Sequence, residues 1–211
     1  MKKLVYLLLI LIAVSCGLVS CNHKQQNAAV PEGTTVLILG DSLSYGTGAN
    51  AGEDYPSLLA KTTGWKIMNE GVYGNTTAQG LERLPALLEK AQPKLLIVQL
   101  GGNDFLQQKP QTETIANLKA ILALAKEKGV TSVMVAIPEL SPLKAAFGNL
   151  SDHPLYEKLA QETATPLVTD VFSDVLSDAT LKADQVHPNA QGYAIVAKNM
   201  AIKLQLLGFV K

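Results

Sequence analysis

The sequence has few cysteines and few aromatic residues, and its charges balance. It contains two cysteines, Cys16 and Cys21, both near the N-terminus, and aromatic side chains make up 5% of its 211 residues. The rest of the chain therefore has no cysteine for a disulfide or for a thiolate zinc site. Lys+Arg and Asp+Glu each total 18. Without excess positive charge or an aromatic stacking platform, the chain is not expected to bind nucleic acid.

The remaining composition is that of a folded protein. Hydrophobic residues make up 47% of the chain and charged residues 17%, which is too apolar for an intrinsically disordered sequence. A length of 211 residues is enough for one domain with a substantial core. Because the sequence shows no internal repeat, we expect a single domain.

The N-terminus has the pattern of an export signal. Met1-Lys2-Lys3 is positively charged, residues 4–14 are apolar throughout, and small residues follow. This order is typical of a secretory signal peptide. Leu18-Val19-Ser20-Cys21 resembles a bacterial lipobox, which implies cleavage before Cys21 and acylation of its thiol. Ordinary cleaved secretion and an uncleaved anchor helix remain as alternatives, because residues 4–20 nearly reach the length of a short transmembrane segment.

These patterns divide the chain into three parts. Residues 1–20 are predicted to be a lipoprotein signal peptide, and residues 21–33 a lipidated Cys21 with a flexible tether. Residues 34–211 are predicted to be the folded domain. The tether is polar and lacks periodicity, as expected of a linker. The sequence thus predicts an exported monomer of the bacterial cell envelope, attached to a membrane through a lipid on Cys21.

From residue 34 onward, short apolar segments alternate with amphipathic ones. Residues 36–39 and 95–100 are almost continuously apolar, which is typical of strands buried on both faces. The patterns predict five strands, at 35–39, 66–69, 95–100, 132–137 and 166–169. They predict helices at 55–63, 77–91, 112–128, 153–165 and 189–207. Strands separated by helices form a parallel sheet with helices on both faces.

We therefore expect an α/β fold: a single three-layer α/β/α domain with a five-stranded parallel sheet in the flavodoxin-like order 2-1-3-4-5. In such sheets, ligands bind beyond the carboxyl ends of the strands, where the strand order reverses. The ends of strands one and three flank that crevice. Ser42 follows strand one and Asn103 follows strand three, so the topology brings these distant residues together.

Ser42, His187 and Asp184 have the chemistry of a nucleophile, a base and the group that orients the base. Ser42 follows Gly40-Asp41 at the end of the first strand, where the glycine permits a sharp turn. Because Asp184 and His187 are three positions apart, the carboxylate can reach one ring nitrogen while the other accepts a proton from serine. Each pattern alone also fits helix capping. A metal site is not expected, because no cluster supplies the three or four ligands of zinc.

Two glycine-bearing loops contain candidate donors to a negatively charged oxygen. Asn103 has a side-chain amide and follows Gly101-Gly102, so a substrate can approach the backbone closely. Gly74 lies in the loop after the second strand and presents its N–H without steric hindrance. One preorganised donor of this kind is worth about 10²–10³ in the rate of acyl transfer. Each loop alone is also compatible with an ordinary turn.

Four sequence blocks occur together in a fixed order. They are Gly40-Asp41-Ser42-Leu43, Gly74-Asn75-Thr76-Thr77, Gly101-Gly102-Asn103-Asp104 and Asp184-Gln185-Val186-His187-Pro188. In order and spacing they resemble the blocks of the GDSL or SGNH hydrolase family. Residues 79–88 are similar to the bacterial acyl-thioesterase/lysophospholipase/arylesterase branch of that family. The resemblance extends from Val36 to Ala197, nearly all of the predicted domain.

The resemblance implies a serine esterase that hydrolyses carboxylic ester or thioester bonds of acyl substrates through an acyl-enzyme. It implies that Ser42 is the nucleophile, His187 the base and Asp184 the orienting group. The amides of Ser42 and Gly74 and the side chain of Asn103 would form the oxyanion hole. No metal or cofactor is required.

Apolar residues in 105–106 and 138–150 follow strands three and four at the same edge of the sheet. They predict an acyl-chain groove or, alternatively, a lid packed on the domain. Two other functions remain open. One is a carbohydrate O-deacetylase, which the scarcity of aromatic residues disfavours. The other is a non-catalytic, lipid-binding envelope lipoprotein, which the complete set of Ser42, His187 and Asp184 disfavours.

Overall fold

The computed structural model describes residues 27–139, 141, 143–144 and 147–211. Within them, five parallel strands form one sheet in the order β2-β1-β3-β4-β5. The strands are β1 (Thr35–Gly40), β2 (Lys66–Gly71), β3 (Leu95–Gln99), β4 (Thr131–Val135) and β5 (Leu167–Val168). The predicted fold class and strand order are confirmed.

Helices cover both faces of this sheet. They are α1 (Ser42–Tyr45), α2 (Tyr55–Thr63), α3 (Thr77–Ala91), α4 (Gly102–Leu106), α5 (Gln111–Glu127), α6 (Leu155–Thr163), α7 (Ser173–Ser177) and α8 (Ala190–Leu206). Helix α2 packs against α8, and α3 packs against α5. Strand β3 is buried along its whole length, as a central strand between two helical layers should be.

Two helices have the bounds that the sequence predicts, and the structure shows that capping contacts fix their ends. Helix α2 begins after Asp54, whose carboxylate accepts from the Ser57 amide at 2.8 Å, and it ends at Gly64 with a φ of 68°. Helix α3 begins with a reciprocal capping box between Thr76 and Gln79. These contacts satisfy backbone N–H groups that the first helical turn leaves unpaired.

Other elements differ from the sequence prediction in length or were not predicted. Strand β5 has two residues instead of four, and the fourth strand ends at Val135 rather than at residue 137. The sequence pattern also missed the short helices α1, α4 and α7. Each of the three is four or five residues long, which is too short to show a helical period.

The described chain contacts the domain from its first residues. The Asn27 side chain donates to the Leu207 carbonyl at 2.8 Å, and the Val30 amide donates to the Phe209 carbonyl at 2.8 Å. The buried Trp65 ring donates to the Val30 carbonyl at 3.0 Å. The start of the described chain therefore lies against the C-terminal end of α8. The predicted signal peptide and Cys21 lie outside the described residues.

Among the residues that the structure describes, no helix is both long and apolar enough to cross a membrane.

The ends of three adjacent strands are level at one edge of the sheet. Gly40, the last residue of β1, is aligned with Gly71 at the end of β2 and with Gln99 at the end of β3. The chain therefore enters the loops that contain Ser42, Gly74 and Asn103 at the same edge. The candidate site is built there.

Candidate active site

Ser42 is held in a sharp turn between β1 and α1. Asp41 caps the helix, and its carboxylate accepts from the Leu43 amide at 3.0 Å. Ser42 is the first residue of α1 and is buried, although its side chain lines a cleft. A Cβ atom added at Gly40 would overlap the Ser44 side chain. Glycine is thus required where the strand turns into the helix.

His187 connects Ser42 to Asp184 through its two ring nitrogens. His187 Nε2 lies 2.9 Å from Ser42 Oγ, and His187 Nδ1 lies 2.7 Å from Asp184 Oδ2. The imidazole is buried. Residues 145 positions apart thus form one hydrogen-bonded chain. In this arrangement the carboxylate holds the proton on Nδ1 and leaves Nε2 free to accept the proton of the hydroxyl.

Backbone amides fix the orienting carboxylate. Asp184 Oδ1 accepts from the amides of Val186 at 2.8 Å and His187 at 2.9 Å, so Oδ2 is left to face the ring. Partial burial acts to raise the pKa of Asp184. The hydrogen bonds from the Val186 amide and from the ring and amide of His187 outweigh it, so the pKa is lowered from its ordinary value. Asp184 is therefore ionised at neutral pH.

Asn103 lies at the start of α4, beside the loop that contains Gly74. Its Nδ2 atom donates to the Asn75 carbonyl at 3.0 Å and lies 3.4 Å from Asp41 Oδ2. Gly74 has a φ of 76°, and no atom lies within 4 Å of the position of a Cβ there. The two predicted donor loops are therefore in direct contact, and the space beside Gly74 is open.

The loop that carries Asn103 is braced from behind. Asp104 is buried and accepts hydrogen bonds from the amide and the hydroxyl of Thr77, and from the hydroxyl of Thr114. A Cβ at Gly101, which has a φ of 124°, would overlap the Tyr156 hydroxyl. These contacts join α4 to α3 and α5 and fix the position of Asn103.

A buried polar network below Ser42 was not predicted. Gln99 Nε2 donates to Asp41 Oδ1 at 3.0 Å, and the Ser44 hydroxyl donates to Gln99 Oε1 at 2.6 Å and lies 2.7 Å from the Tyr55 hydroxyl. Burial raises the pKa of Asp41 to about 6, against the hydrogen bonds from Leu43 and Gln99. The sequence held one signal for this network: Gln99 is the single polar residue within the apolar run 95–100.

A cleft of about 670 Å³ opens beside Ser42 and His187. Its apolar lining includes Leu106, Ile137, Pro138, Leu150, Leu176 and Val186. The exposed Tyr73 ring also lines it and stacks on His187 with ring centroids 6.2 Å apart. The cleft can accept an apolar chain next to the hydroxyl.

The segments that predicted an acyl groove contribute to this cleft in part. Leu106 and Leu150 line it, whereas Phe105 packs on His153 with ring centroids 4.5 Å apart. Leu143 and Phe147 are exposed and do not line it. Leu140, Ala145 and Ala146, which belong to the same prediction, lie outside the described residues.

Within the described parts of the chain, no three His, Cys, Asp or Glu side chains lie close enough together to hold a metal ion. The chemistry available at the cleft is that of a hydroxyl, an imidazole, a carboxylate and amide donors. That set can take a proton from a nucleophile and stabilise a developing oxyanion.

Known proteins with similar sequences and structures include hydrolases. The model of the GDSL-like lipase/acylhydrolase family matches residues 38–195. Thioesterase 1/protease 1/lysophospholipase L1 of Escherichia coli (strain K12) is 36% identical over 182 residues, covering 82% of this chain and 84% of that protein. The arylesterase of Vibrio mimicus is 29% identical over 184 residues, covering 84% of this chain and 92% of that protein.

A solved structure has the same architecture. The psychrotrophic esterase EstA from Pseudoalteromonas sp., inhibited by monoethylphosphonate, superposes with a TM-score of 0.71 at 25% identity. The match covers 82% of this chain and 97% of that one. These relatives favour neither a carbohydrate deacetylase nor a non-catalytic lipoprotein.

Proposed function

Because the chain belongs to the GDSL-like lipase/acylhydrolase family and is a serine esterase, we propose that Ser42 is its nucleophile, His187 its general base and Asp184 the group that orients the base. The hydrogen-bonded chain from Ser42 Oγ to His187 Nε2 at 2.9 Å, and from His187 Nδ1 to Asp184 at 2.7 Å, carries this proposal. A hydroxyl is a weak nucleophile until a positioned base removes its proton.

The reaction proceeds through an acyl-enzyme. His187 Nε2 takes the Ser42 proton as Oγ attacks the carbonyl carbon of an ester or thioester. The oxyanion accepts hydrogen bonds from the amides of Ser42 and Gly74 and from the side chain of Asn103. The tetrahedral intermediate then expels the alcohol or thiol, which takes the proton from His187. Water attacks the acyl-enzyme by the same sequence, and the carboxylic acid leaves.

Labelling with a fluorophosphonate probe tests the assignment of the nucleophile. We expect one adduct on the folded protein, located on Ser42 by peptide mapping, because His187 activates this hydroxyl alone. The Ser42→Ala protein should remain unlabelled. An adduct on another serine, or no adduct at all, would contradict the assignment.

Acyl esters with medium-length chains are the proposed substrates, because the cleft beside Ser42 is lined by apolar side chains. Each buried CH₂ group contributes about 0.8 kcal/mol, so two buried groups already raise kcat/KM about tenfold. We therefore expect p-nitrophenyl octanoate to be hydrolysed with at least this advantage in kcat/KM over the acetate. Equal kcat/KM values for the two esters would reject an acyl groove.

A bulky side chain in the cleft locates the groove. Leu150→Trp fills space beside Ile137 and Leu176 and should remove the advantage of the octanoyl ester, while acetyl ester hydrolysis changes little. Leu206→Trp is the matched control, because Leu206 is exposed at the end of α8 and does not line the cleft. If the Leu150→Trp protein keeps the preference for octanoyl esters, the acyl chain of the substrate binds elsewhere.

We further propose that Cys21 carries a lipid that holds the protein at a membrane of the bacterial envelope. The lipobox-like segment that ends at Cys21 supports this proposal. The chain reaches the domain at Asn27, beside Leu207 at the C-terminal end of α8. Helix α8 has 17 residues and starts next to the His187 loop, so the described chain begins about 25 Å along the helix from the cleft.

Replacing Cys21 tests the anchor. We expect Cys21→Ser to move the protein from the membrane fraction to the soluble fraction and to remove the mass of the acyl groups. Cys16→Ser is the matched control and should remain in the membrane fraction with its lipid. Retention of Cys21→Ser in the membrane fraction would favour an uncleaved helix, and a wild-type protein without lipid would favour ordinary secretion.

A further inference from the structure

Arg83 is the single arginine of this chain. The other 17 of the 18 basic residues are lysines. Arg83 lies on α3 and is half-buried below the loop that contains Gly74. Lysine and arginine differ in that the guanidinium is a rigid planar fork, which can donate to two acceptors in fixed directions. The use of arginine at this one position indicates that two hydrogen bonds in fixed directions are needed there.

The guanidinium of Arg83 joins the segment that carries the proposed nucleophile, Ser42, to the segment that carries Gly74. Arg83 Nη2 donates to the Gly40 carbonyl at 2.9 Å, two residues before Ser42. Arg83 Nε donates to the Asn75 side-chain oxygen at 2.9 Å, one residue after Gly74. The end of β1 and the β2–α3 loop are thus held at a fixed separation by one side chain.

The same contact extends to Asn103, the third proposed oxyanion donor. The Asn75 backbone carbonyl accepts the hydrogen bond from Asn103 Nδ2 at 3.0 Å. Asn75 is buried, so it cannot exchange its partners for water without moving. Arg83 holds the side chain of Asn75, and the backbone of Asn75 holds Asn103. One guanidinium therefore fixes the loops of all three proposed oxyanion donors.

The half-buried guanidinium of Arg83 also has contacts that are unusual for a cation. None of the ion pairs among the described residues includes Arg83. Its Nη1 atom is buried and has no hydrogen-bond partner in the described part of the chain. Burial lowers the pKa of Arg83, and the charge of Glu70 acts in the opposite direction, but a guanidinium stays protonated at neutral pH. A positive charge without a paired carboxylate therefore lies behind the oxyanion donors, where it favours a negative charge in front of them.

We propose that Arg83 is the positioning residue of the oxyanion hole. It sets the separation between the Ser42 turn and the Gly74–Asn75 loop and orients Asn103 through Asn75. This inference rests on the proposed roles of Ser42, Gly74 and Asn103. It predicts an effect on the transition state rather than on substrate binding, since Arg83 does not line the cleft.

Kinetics of Arg83 variants test the inference. A small misplacement of catalytic groups costs up to about 100-fold in rate. We expect Arg83→Met to lower kcat by about 10–100-fold with little change in KM, and Arg83→Lys to fall between this variant and the wild type. Lys90→Met removes one positive charge from an exposed position of the same helix and should leave kcat unchanged. A kcat of Arg83→Met equal to that of the control would overturn the inference.

Chemical rescue separates positioning from general stability. We expect millimolar guanidinium to restore several-fold activity to Arg83→Ala, while equal concentrations of methylammonium do not, because only the planar ion can bridge Gly40 and Asn75. The wild-type and Lys90→Met proteins should not respond. If guanidinium and methylammonium act equally, the fork geometry has no role. Arg83→Lys keeps the charge, so it provides the same kinetic test if the uncharged variants do not fold.

A double-mutant cycle with Asn103 tests whether Arg83 affects kcat through the oxyanion donors. If Arg83 acts through the oxyanion donors, Arg83→Met should cost much less in the Asn103→Ala background than in the wild type. Fully multiplicative losses would overturn the inference. Ser42→Ala distinguishes this outcome from a failure of the proposed function. An active Ser42→Ala protein contradicts the function, whereas an inactive one alongside a fully active Arg83→Met contradicts the role of Arg83 alone.

Discussion

Replacing Ser42 by alanine is expected to lower kcat for an activated ester by about 10⁴-fold or more, because no covalent acyl-enzyme can form. The residual rate reflects substrate binding and the amide donors, which alone accelerate hydrolysis by about 10³–10⁴ over water. The alanine removes one hydroxyl whose partner is His187 Nε2. KM should change little, since the apolar lining of the cleft is unaffected.

The loss must come from chemistry and not from folding. Ser132→Ala is the matched control, because the Ser132 hydroxyl is buried in β4 without a hydrogen-bond partner among the described residues. Both variants should unfold within a few degrees of the wild type, and the control should keep wild-type kcat. Initial rates with p-nitrophenyl esters and thermal unfolding curves measure these quantities. A Ser42→Ala protein within tenfold of wild-type kcat would show that Ser42 is not the nucleophile.

The architecture that brings these residues together could be predicted from the sequence. The run 36–39 is apolar throughout and the run 95–100 is apolar except for Gln99, and strands of this kind pair in the centre of a parallel sheet. Helices α2 and α3 have the predicted bounds, and in the structure Asp54, Gly64 and the Thr76–Gln79 capping box fix their ends. Once the strand order is known, the end of β1 and the end of β3 must be neighbours.

The contacts below the site could not be predicted, because they depend on tertiary distances. Gln99, Ser44 and Tyr55 come from a strand, a short helix and a longer helix, and no sequence spacing connects them. Arg83 was part of a recognised sequence block, but its two acceptors, Gly40 and Asn75, became evident only from the fold. A buried polar network forms where donors and acceptors meet in the folded structure. The hydrophobic periodicity of the sequence does not predict those positions.

The short helices were missed for a related reason. Helix α1 is stabilised by the Asp41 cap and by its packing on β1 and β2, and not by an amphipathic period. Helix α4 follows Gly101, which has a φ of 124°, and it has no side-chain cap. Helices this short are unstable in isolation. The residues that they position, Ser42 and Asn103, are thus placed by tertiary contacts.

Replacing Asn103 by alanine is expected to lower kcat by about 10²–10³ with a small change in KM, because the side chain donates to the oxyanion most strongly in the transition state. Asn103→Asp should be slower still. It keeps the size of the side chain but places a carboxylate against the Asn75 carbonyl and Asp41 Oδ2, at the positions where Nδ2 now lies at 3.0 and 3.4 Å. That charge would also repel the oxyanion.

The relative activities of Asn103→Ala and Asn103→Asp distinguish a hydrogen-bond donor from a side chain that only fills space. If Asn103 only fills space, aspartate should preserve activity better than alanine. If it donates a hydrogen bond, alanine should be the more active of the two, since a void near an oxyanion costs less than a like charge. Asn199→Ala, within α8, controls for the loss of an amide elsewhere and should keep wild-type kcat. Steady-state kinetics on one ester measure kcat for all three variants. A higher kcat for Asn103→Asp than for Asn103→Ala would show that Asn103 is not an oxyanion donor.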